Sequence, residues 1–291
     1  IIPVAWRRWR KKLHARSTWK EMARFRRRLR SNKYDLVIDA QGLIKSGVIA
    51  GMALGRSIGL DSASCREPAA SVFYRKKVSV AKGEHAIHRL RKLFAGIFDY
   101  KLSETMSYGI DKSRWLEPKA NTKYWVFLHG TTWETKLWPE SYWSELAAKA
   151  VSSGINVYLP WGTEDERIRA ANITKWIDGA EVLPRMDLDE LIPYLAFADG
   201  IVGVDTGLSH VAAAMEVPSI ALYGATDTGL TGALGPKMRV LKSELSCAPC
   251  LSRQCKNMSP ELPYPPCYKE LPPERVFMEL SAMQKLPLYV G

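Results

Sequence analysis

The sequence predicts an α/β fold built on parallel, doubly wound sheets. Short apolar runs alternate with amphipathic segments along the chain, as in repeated strand–helix units. Two such runs, Ile201–Val204 and Ile220–Leu222, flank a helix-forming segment, and each stops at a polar loop. Because a helical crossover joins parallel strands, we expect both loops at the same carboxyl edge of the sheet, where α/β folds bind ligands.

Each half of the chain has its own predicted elements. Strands are expected at Leu36–Ile38, Ser57–Leu60, Val78–Val80, Tyr124–Leu128, Asn156–Leu159 and Glu181–Leu183. Helices are expected at Leu43–Leu54, Glu84–Phe98, Glu140–Ser153, Glu164–Trp176 and Leu188–Ala198. The proline-containing segment Lys112–Thr122, of mixed charge, is the predicted linker between the two halves.

The composition limits the class of protein. With 291 residues, of which 46% are hydrophobic, the chain is large enough for two ordinary cores. No apolar run approaches the roughly 20 residues of a membrane-spanning helix, and no signal peptide is recognisable, so we expect a cytoplasmic protein. The sequence lacks Gly-x-Gly-x-x-Gly and Gly-x-x-x-x-Gly-Lys-Ser/Thr motifs, which argues against a dinucleotide dehydrogenase and a P-loop nucleotidase.

The net charge of +12 lies entirely in the segment Ile1–Lys33, which we call the basic arm. The arm holds 13 Lys and Arg against one Glu, whereas the rest of the chain has 29 residues of each sign. Apolar residues from Trp19 to Leu29 recur at helical spacing, and Thr18–Glu21 has the form of a capping box. An amphipathic basic helix of this kind can lie on anionic lipid headgroups.

Three interpretations of the basic arm remain open. It is a solvated helix face without a partner, a nucleic-acid contact, or a contact with the membrane surface or an anionic acceptor embedded in it. No nucleic-acid-binding module accompanies the charge, so we expect no nucleic-acid partner. The densest cluster of cations in the arm is Arg7, Arg8, Arg10 and Lys11.

The polar loop Asp205–Gly207 lies between the end of a predicted strand and the start of a helix. Backbone N–H groups and the positive end of the helix dipole face outward at such a position, which suits a phosphate. An alternative is that Asp205 and Thr206 only cap the helix.

A further polar loop follows the strand Tyr124–Leu128 and is expected at the same edge of the sheet as the loop Asp205–Gly207. It carries Thr131, Thr132 and Lys136. A lysine ammonium there would offset the charge that develops on a leaving diphosphate. Taken alone, Lys136 would be interpreted as an ordinary solvated lysine.

The segment Asp205–His210 is similar to the donor-nucleotide motif of bacterial ADP-heptose:lipopolysaccharide heptosyltransferases, and within that family to the type I enzymes. Further segments resemble the same family in the same order, from the first residue to about Pro236. These segments are Ile2–Lys11, Tyr34–Leu43, Arg66–Pro68, Phe73–Tyr74, Phe127–Thr132, Lys136, Trp138–Pro139, Leu159–Gly162 and Glu181–Met186.

The resemblance implies a glycosyltransferase B fold, in which two Rossmann-like doubly wound domains face each other across a cleft. Residues 1–118 would form the acceptor-binding domain, residues 119–275 the nucleotide-sugar-binding domain and residues 276–291 a C-terminal tail. The implied activity is inverting transfer of heptose from ADP-heptose to the Kdo region of the lipopolysaccharide inner core. The implied acceptor is Kdo-lipid A or a related anionic glycolipid at the cytoplasmic face of the inner membrane.

The resemblance also assigns roles to residues of the second half. Contacts to the diphosphate and sugar would come from Thr131, Thr132, Lys136, Thr206, Gly207 and His210. Glu166 would bind the ribose hydroxyls and Met186 would lie beside the adenine, although Met186 is alternatively a core methionine. Asp205 would position the loop or contact the donor sugar. No cofactor is expected, because a lysine and a helix terminus can stabilise the leaving diphosphate without a metal.

In the first half, the resemblance directs the four arm residues Arg7, Arg8, Arg10 and Lys11 at the carboxylates and phosphates of the acceptor. Asp39, Gln41 and Arg66 are further acceptor candidates. The family's general base is an aspartate after its first strand, and no residue here matches it. Because the chain begins at Ile1 rather than Met, we expect the first strand–helix unit to lie upstream, and the chain as it stands to bind ADP weakly and transfer sugar poorly.

Two other functions remain open. One is an inactive remnant that binds nucleotide sugar and anionic lipid, and the other is a transferase of the same fold with another nucleotide sugar. The cysteines Cys247, Cys250, Cys255 and Cys267 have a spacing that also occurs in zinc and iron–sulfur sites, while Cys65 stands apart. Reduced loop cysteines are the alternative, and we expect no metal there.

Overall fold

The structure is a computed structural model that describes residues 1–118 and 122–285. Its contacts divide the chain into two compact units, Ile1–Ser103 and Glu104–Gly291. Within the described residues, no helix is both long and apolar enough to span a bilayer.

The first unit contains a three-stranded parallel sheet in the order β1-β2-β3. Its elements are α1 (Trp6–Lys11), α2 (Arg16–Leu29), β1 (Lys33–Ile38), α3 (Ile44–Met52), β2 (Leu54–Leu60), a 3₁₀ helix (Pro68–Phe73), β3 (Lys76–Val78) and α4 (Ala86–Phe98). Leu60, Tyr74 and Leu93 are buried in its core, which joins the sheet to α4. The predicted α/β pattern of this half is therefore confirmed.

The basic arm folds as two helices that pack against each other. Trp9 of α1 meets Phe25 of α2 edge to face, with 5.5 Å between the ring centroids. The carboxylate of Glu21 accepts a 2.8 Å hydrogen bond from the Trp9 indole N–H and pairs with Arg8. The predicted capping box is wrong, because α2 begins earlier, after Ala15, and Thr18 is buried inside the helix. The Glu21 carboxylate binds Trp9 and Arg8 of α1 instead.

The second unit contains a six-stranded parallel sheet in the order β6-β5-β4-β7-β8-β9. Its strands are β4 (Tyr124–Leu128), β5 (Asn156–Leu159), β6 (Ala180–Val182), β7 (Gly200–Val204), β8 (Ser219–Tyr223) and β9 (Met238–Lys242). Its helices are α5 (Glu140–Ser152), α6 (Glu164–Thr174), α7 (Leu188–Ala196), α8 (Gly207–Ala214), α9 (Thr228–Thr231) and α10 (Pro273–Lys285).

Helices cover both faces of this sheet, and alternate residues of the central strand β4 show it. Trp125 and Phe127 belong to one buried cluster, while Tyr124, Val126 and Leu128 belong to another on the opposite face. A strand buried on both faces has a continuous apolar sequence instead of an alternating one, as β4 does. The predicted doubly wound topology is confirmed.

The units divide at residues 103 and 104, earlier than the predicted boundary after residue 118. The segment from Glu104 to residue 118 packs with the second unit, since the Tyr108 hydroxyl donates to the Leu234 carbonyl and Trp115 packs on the second unit's core. Residues 119–121 of the predicted linker lie outside the described residues. Whether the two units act as acceptor-binding and nucleotide-binding domains stays a prediction.

Two elements near the C-terminus were not predicted. Strand β9 is an amphipathic edge strand beside β8. Helix α10 includes the start of the predicted tail 276–291, and its Val276 and Leu280 are completely buried in the core. The Gln284 side chain donates to the Asp199 carbonyl at 3.0 Å, so the described part of this segment is an integral helix of the second unit.

Candidate functional site

The polar loops after β4 and β7, which were predicted at one edge of the sheet, do meet there. Strands β4 and β7 are neighbours, with Phe127 opposite Val202 and Leu128 opposite Gly203. Because the strands are parallel, the loop after β4 and the turn after β7 leave the sheet side by side.

Lys136 and Asp205 join these loops directly. The Lys136 Nζ lies 2.7 Å from the Asp205 Oδ2, and the two side chains are only 16% and 14% exposed. The Thr131 hydroxyl donates to the Asp205 backbone carbonyl at 3.0 Å, which ties the loops a second time. Lys136 is therefore a partly buried, ion-paired lysine and not a freely solvated one.

The side chains before α8 are not used as simple helix caps. The Asp205 carboxylate is directed at Lys136 and at the Thr226 hydroxyl, which donates to it at 2.6 Å. Thr206 occupies the N-cap position, yet in the described part of the chain it makes no side-chain capping hydrogen bond. The positive end of α8 is thus left to face a neighbouring cavity.

That cavity has a volume of about 860 Å³ and lies at the carboxyl edge of the second unit's sheet. Its lining includes the predicted donor residues Thr131, Thr132, Lys136, Glu166, Asp205, Thr206, Gly207 and His210. A Cβ added at Gly207 would have no described atom within 4 Å, so the glycine leaves open space just where the helix begins. The structure thus brings eight of the nine predicted donor residues to one site.

Met186, the ninth, lines an adjoining cavity of about 210 Å³ together with Trp161 and Leu208. It is half-buried and also packs against a core cluster, so both sequence-based interpretations describe part of its environment. Glu166 lines both cavities and lies between the polar and the apolar space.

Glu166 also has a structural task at the start of α6. Its Oε2 accepts hydrogen bonds from the backbone N–H groups of Gly162 and Thr163 at 2.8 and 3.1 Å, and the Thr163 hydroxyl accepts from the Glu166 N–H. This is a capping box. A side chain at Gly130 would collide with the Glu166 carboxyl group, so the glycine makes room for it.

Sequence reasoning missed three residues of this region. Thr226 follows β8, at the edge where the crossover pattern placed the segment Gly224–Asp227, so a signal for it existed. Arg169 lines the large cavity, pairs with Glu140 at 3.1 Å and donates to the Trp138 carbonyl. No sequence pattern distinguishes it from other helical arginines.

His129, the third missed residue, follows β4 and is completely buried. Burial, with a smaller contribution from Arg169, lowers the pKa of His129 to about 4. The imidazole is therefore neutral near pH 7, because a charged form would have to be desolvated in the core.

The predicted acceptor residues lie in the first unit and only partly come together. Arg7, Arg8, Asp39 and Gln41 line one cavity of about 670 Å³ beside β1 and α3. Arg10, Lys11 and Arg66 are exposed and, in the described part of the chain, lie outside its lining.

Asp39 is buried and its carboxylate is already engaged. Oδ1 accepts hydrogen bonds from the backbone N–H groups of Gln41 and Gly42 at 2.8 and 3.3 Å, and Oδ2 accepts from the Tyr74 hydroxyl at 2.6 Å. The pKa of Tyr74 is raised by burial and by this carboxylate. Asp39 therefore stabilises the turn after β1 as well as lining the cavity.

The cysteines are all free thiols. Cys247 and Cys250 are exposed, Cys255 is half-buried and Cys267 is buried, as is Cys65. Burial, with smaller effects of the thiols of Cys255, Cys247 and Cys250, raises the pKa of Cys267 to about 12. Among the described residues, no group of three or more His, Cys, Asp or Glu side chains is arranged to hold a metal ion.

The arrangement in the second unit defines the class of protein. A partly buried lysine, several hydroxyl groups and a helix N-terminus surround a cavity at the carboxyl edge of a parallel sheet, which suits an anionic ligand. The fold is that of a transferase of the glycosyltransferase B type. Residues 22–259 match glycosyltransferase family 9 (heptosyltransferase), and the chain belongs to that family.

Relatives of known name agree with this assignment. The chain is 45% identical to lipopolysaccharide heptosyltransferase 1 of Pseudomonas aeruginosa, over 99% of this chain and 84% of the relative. It resembles the solved structure of E. coli heptosyltransferase WaaC with ADP, with a TM-score of 0.77 and 43% identity over 82% of this chain and 76% of that one. The structure of the same enzyme with ADP-2-deoxy-2-fluoro heptose matches with a TM-score of 0.77 and 41% identity, over 83% of this chain and 76% of that one. The predicted fold class and family are confirmed.

Proposed function

We propose that this chain transfers heptose from ADP-heptose to the Kdo region of the lipopolysaccharide inner core, with inversion at the sugar carbon. The observation that carries the proposal is the 2.7 Å ion pair between Lys136 and Asp205 beside the N-terminus of α8. The cation of this pair, neighbouring hydroxyl groups and backbone donors surround one cavity, which is large enough for a nucleotide diphosphate.

The chemistry assigned to these residues is stabilisation of the leaving ADP. Negative charge grows on the diphosphate as the bond to the sugar breaks. The Lys136 ammonium, the hydroxyls of Thr131, Thr132 and Thr206, and the start of α8 offset that charge within a partly enclosed site. His210 lies in the same lining as a further contact to the diphosphate or sugar.

The nucleoside is assigned to the adjoining cavity. Met186, Trp161 and Leu208 supply apolar surface for the adenine ring, in a volume of about 210 Å³. Glu166, which borders both cavities, is placed to accept hydrogen bonds from the ribose hydroxyls. One of its oxygens already caps α6, which would hold the carboxylate in a fixed orientation for this contact.

Calorimetric titration with ADP tests the nucleotide assignment. We expect ADP to bind and UDP to bind at least tenfold more weakly, because the small apolar cavity is assigned to a purine. Lys136→Met should weaken ADP binding by about tenfold or more, since a charged contact to the diphosphate is lost. Lys149→Met is the matched control, because Lys149 is also ion-paired, with Glu274, but lies on α5 away from the cavity.

Equal affinity for UDP would instead favour a transferase that uses another nucleotide sugar. Normal ADP affinity in Lys136→Met would contradict the role of this lysine. With ADP-heptose and Kdo-lipid A, mass spectrometry should detect an acceptor that carries one added heptose, at a low yield because no residue of this sequence matches the family's general base. Tight ADP binding without any such product would favour an inactive binding protein.

The basic arm is proposed to meet the anionic acceptor and the surface of the inner membrane. Arg7, Arg10 and Lys11 are exposed on α1, and Arg7 also lines the cavity of the first unit. Arg8 differs, because Glu21 already neutralises it. A cluster of uncompensated cations near a bilayer contributes about 1 kcal/mol per charge at an anionic surface.

Vesicle co-sedimentation tests this contact. We expect binding to vesicles with about 30–40% anionic lipid, whose negative surface potential attracts polybasic segments, and none to zwitterionic vesicles. The triple variant Arg7→Ala, Arg10→Ala and Lys11→Ala should lose binding. A control that neutralises Lys101, Lys123 and Lys256, three exposed lysines outside the arm, should keep it. Equal loss in both variants would show an effect of net charge alone and contradict the proposal.

A further inference from the structure

Asp205 receives two hydrogen-bond donors on the same carboxylate oxygen. One is Lys136, at 2.7 Å from Oδ2, and the other is the hydroxyl of Thr226, at 2.6 Å. Thr226 is half-buried in the loop after β8 and is not among the residues that line the donor cavity in the described chain. A residue that lies outside the lining therefore reaches the ion pair at the centre of the site.

We propose that Asp205 is the counter-ion that holds Lys136 ready for the donor diphosphate, and that Thr226 is the positioning residue that orients Asp205. This inference rests on the proposed function, because it assumes that Lys136 binds the diphosphate. It also gives Asp205 a definite role, namely to place the lysine.

The contacts around Lys136 explain how the ammonium is held. Asp205 lies on one side at 2.7 Å, and the ring of Trp133 lies on another, with its centroid 4.4 Å from Nζ. Asp205 is itself held through its backbone and its side chain, since the Thr131 hydroxyl donates to its backbone carbonyl and the Thr226 hydroxyl donates to its carboxylate. Without the Thr226 hydroxyl, the Asp205 carboxylate would lose one of its two described side-chain contacts, and its rotation would be less restricted.

A preorganised lysine lowers the cost of binding an anion. A flexible lysine loses side-chain entropy when a ligand fixes it, whereas an ammonium already held in place loses less. The diphosphate also competes with Asp205 for Nζ. When Lys136 turns to the phosphate, the Thr226 hydroxyl still satisfies Oδ2, so the carboxylate is not left without a partner in a half-buried site.

The competing explanation is that Thr226 only ties the loops after β7 and β8 together. In that case its loss would affect the stability of the loops and would weaken ADP binding by the same factor whether or not Lys136 is present. Coupling between Thr226 and Lys136 is expected only if Thr226 acts through the ion pair.

A double-mutant cycle on ADP affinity separates the two explanations. Thr226→Val removes the hydroxyl at nearly constant volume and should weaken ADP binding by roughly 3–10-fold. Thr226→Ser keeps the hydroxyl and should restore the affinity to within about twofold of the original protein. In the Lys136→Met background, Thr226→Val should change the affinity by less than about twofold. Thermal unfolding of each variant checks that it is folded, and Thr226→Ala replaces the valine variant if that one is not.

The possible outcomes are distinct. An equal loss in both backgrounds, or normal affinity in a folded Thr226→Val or Thr226→Ala protein, would overturn the positioning role and leave the proposed function intact. Failure of Thr226→Ser to restore binding would overturn it as well. Normal ADP affinity in Lys136→Met would instead contradict the role of Lys136 in the proposed function, and it would overturn this inference as well.

Discussion

At the scale of single residues, burial decides the charge state of His129. The side chain is completely enclosed at the end of β4, and its pKa falls to about 4 from the ordinary value of 6.5. The unfolded chain therefore binds a proton between these two pH values, whereas the folded chain does not.

Folding stability should consequently fall as the pH is lowered. A histidine whose pKa is depressed by folding favours the unfolded state once the pH drops below about 6.5, and the effect is complete near pH 4. The expected loss is up to about 3 kcal/mol of unfolding free energy. Urea unfolding at pH 7, 6, 5 and 4 measures it. His129→Asn should flatten the dependence, and an unchanged slope in that variant would show that other groups cause it.

Gly207 is a second residue with a testable consequence. A Cβ there meets no described protein atom within 4 Å, and Gly207 lines the proposed donor cavity at the start of α8. Gly207→Val should keep the melting temperature and weaken ADP binding by about tenfold or more, with Gly207→Ala between it and the original protein. Unchanged ADP affinity in the valine variant would mean that the nucleotide does not approach this turn.

At the scale of elements, the first turn of α6 combines a structural and a proposed functional role in one carboxylate. Glu166 caps the helix together with Thr163, and it also borders both cavities. Helix α7 has the same capping box, formed by Asp187 and Glu190. The two helices therefore offer a matched comparison.

Thr163→Ala, Glu166→Gln and Glu190→Gln should each lower the unfolding free energy by about 1 kcal/mol or less, because each weakens one capping box. Glu166→Gln should also weaken ADP binding, since a neutral amide is a poorer acceptor for ribose hydroxyls, whereas Glu190→Gln, outside the described lining of both cavities, should not. Calorimetry and urea unfolding on the three variants measure both effects. Equal ADP affinity in all of them would show that Glu166 acts only as a helix cap and does not bind the ribose.

The elements also show which local patterns were reliable. The strand–helix alternation from Tyr124 to Tyr223 was predictable because apolar strands buried on both faces stand out in the sequence. The amphipathic strand β9 and helix α10 lie on either side of a cysteine- and proline-rich region. The hydrophobic periodicity of the sequence is weak there, so neither element was predicted. The capping box in the arm failed because Glu21 binds Trp9 and Arg8, which no local motif indicates.

At the scale of the whole molecule, the described residues that line the proposed donor site all belong to the unit Glu104–Gly291, which has its own buried cores. The core of the other unit, Ile1–Ser103, is a separate cluster. A ligand that binds one folded unit stabilises that unit by mass action and does nothing for the other.

In scanning calorimetry, ADP should therefore raise the midpoint temperature of one unfolding transition and leave that of the other unchanged. At about 100 times the dissociation constant, the stabilisation should be about 2.7 kcal/mol. UDP at the same concentration serves as the control. A uniform shift of all heat absorption would show that the two units unfold as one.

The sequence by itself determined the α/β class, the parallel strand–helix pattern, the confinement of the positive charge to the arm and the placement of two polar loops at one sheet edge. These properties follow from short-range periodicity and from the geometry of helical crossovers. The resemblance of ordered motifs supplied the family. None of this information says how an individual side chain is oriented.

Only the tertiary structure decided that Asp205 pairs with Lys136 and Thr226, that Glu21 binds across two helices, and that α10 completes the core of the second unit. Each of these facts depends on contacts between residues far apart in the chain. The packing and desolvation of the whole unit determine which of these contacts form, and a local sequence pattern does not contain that information.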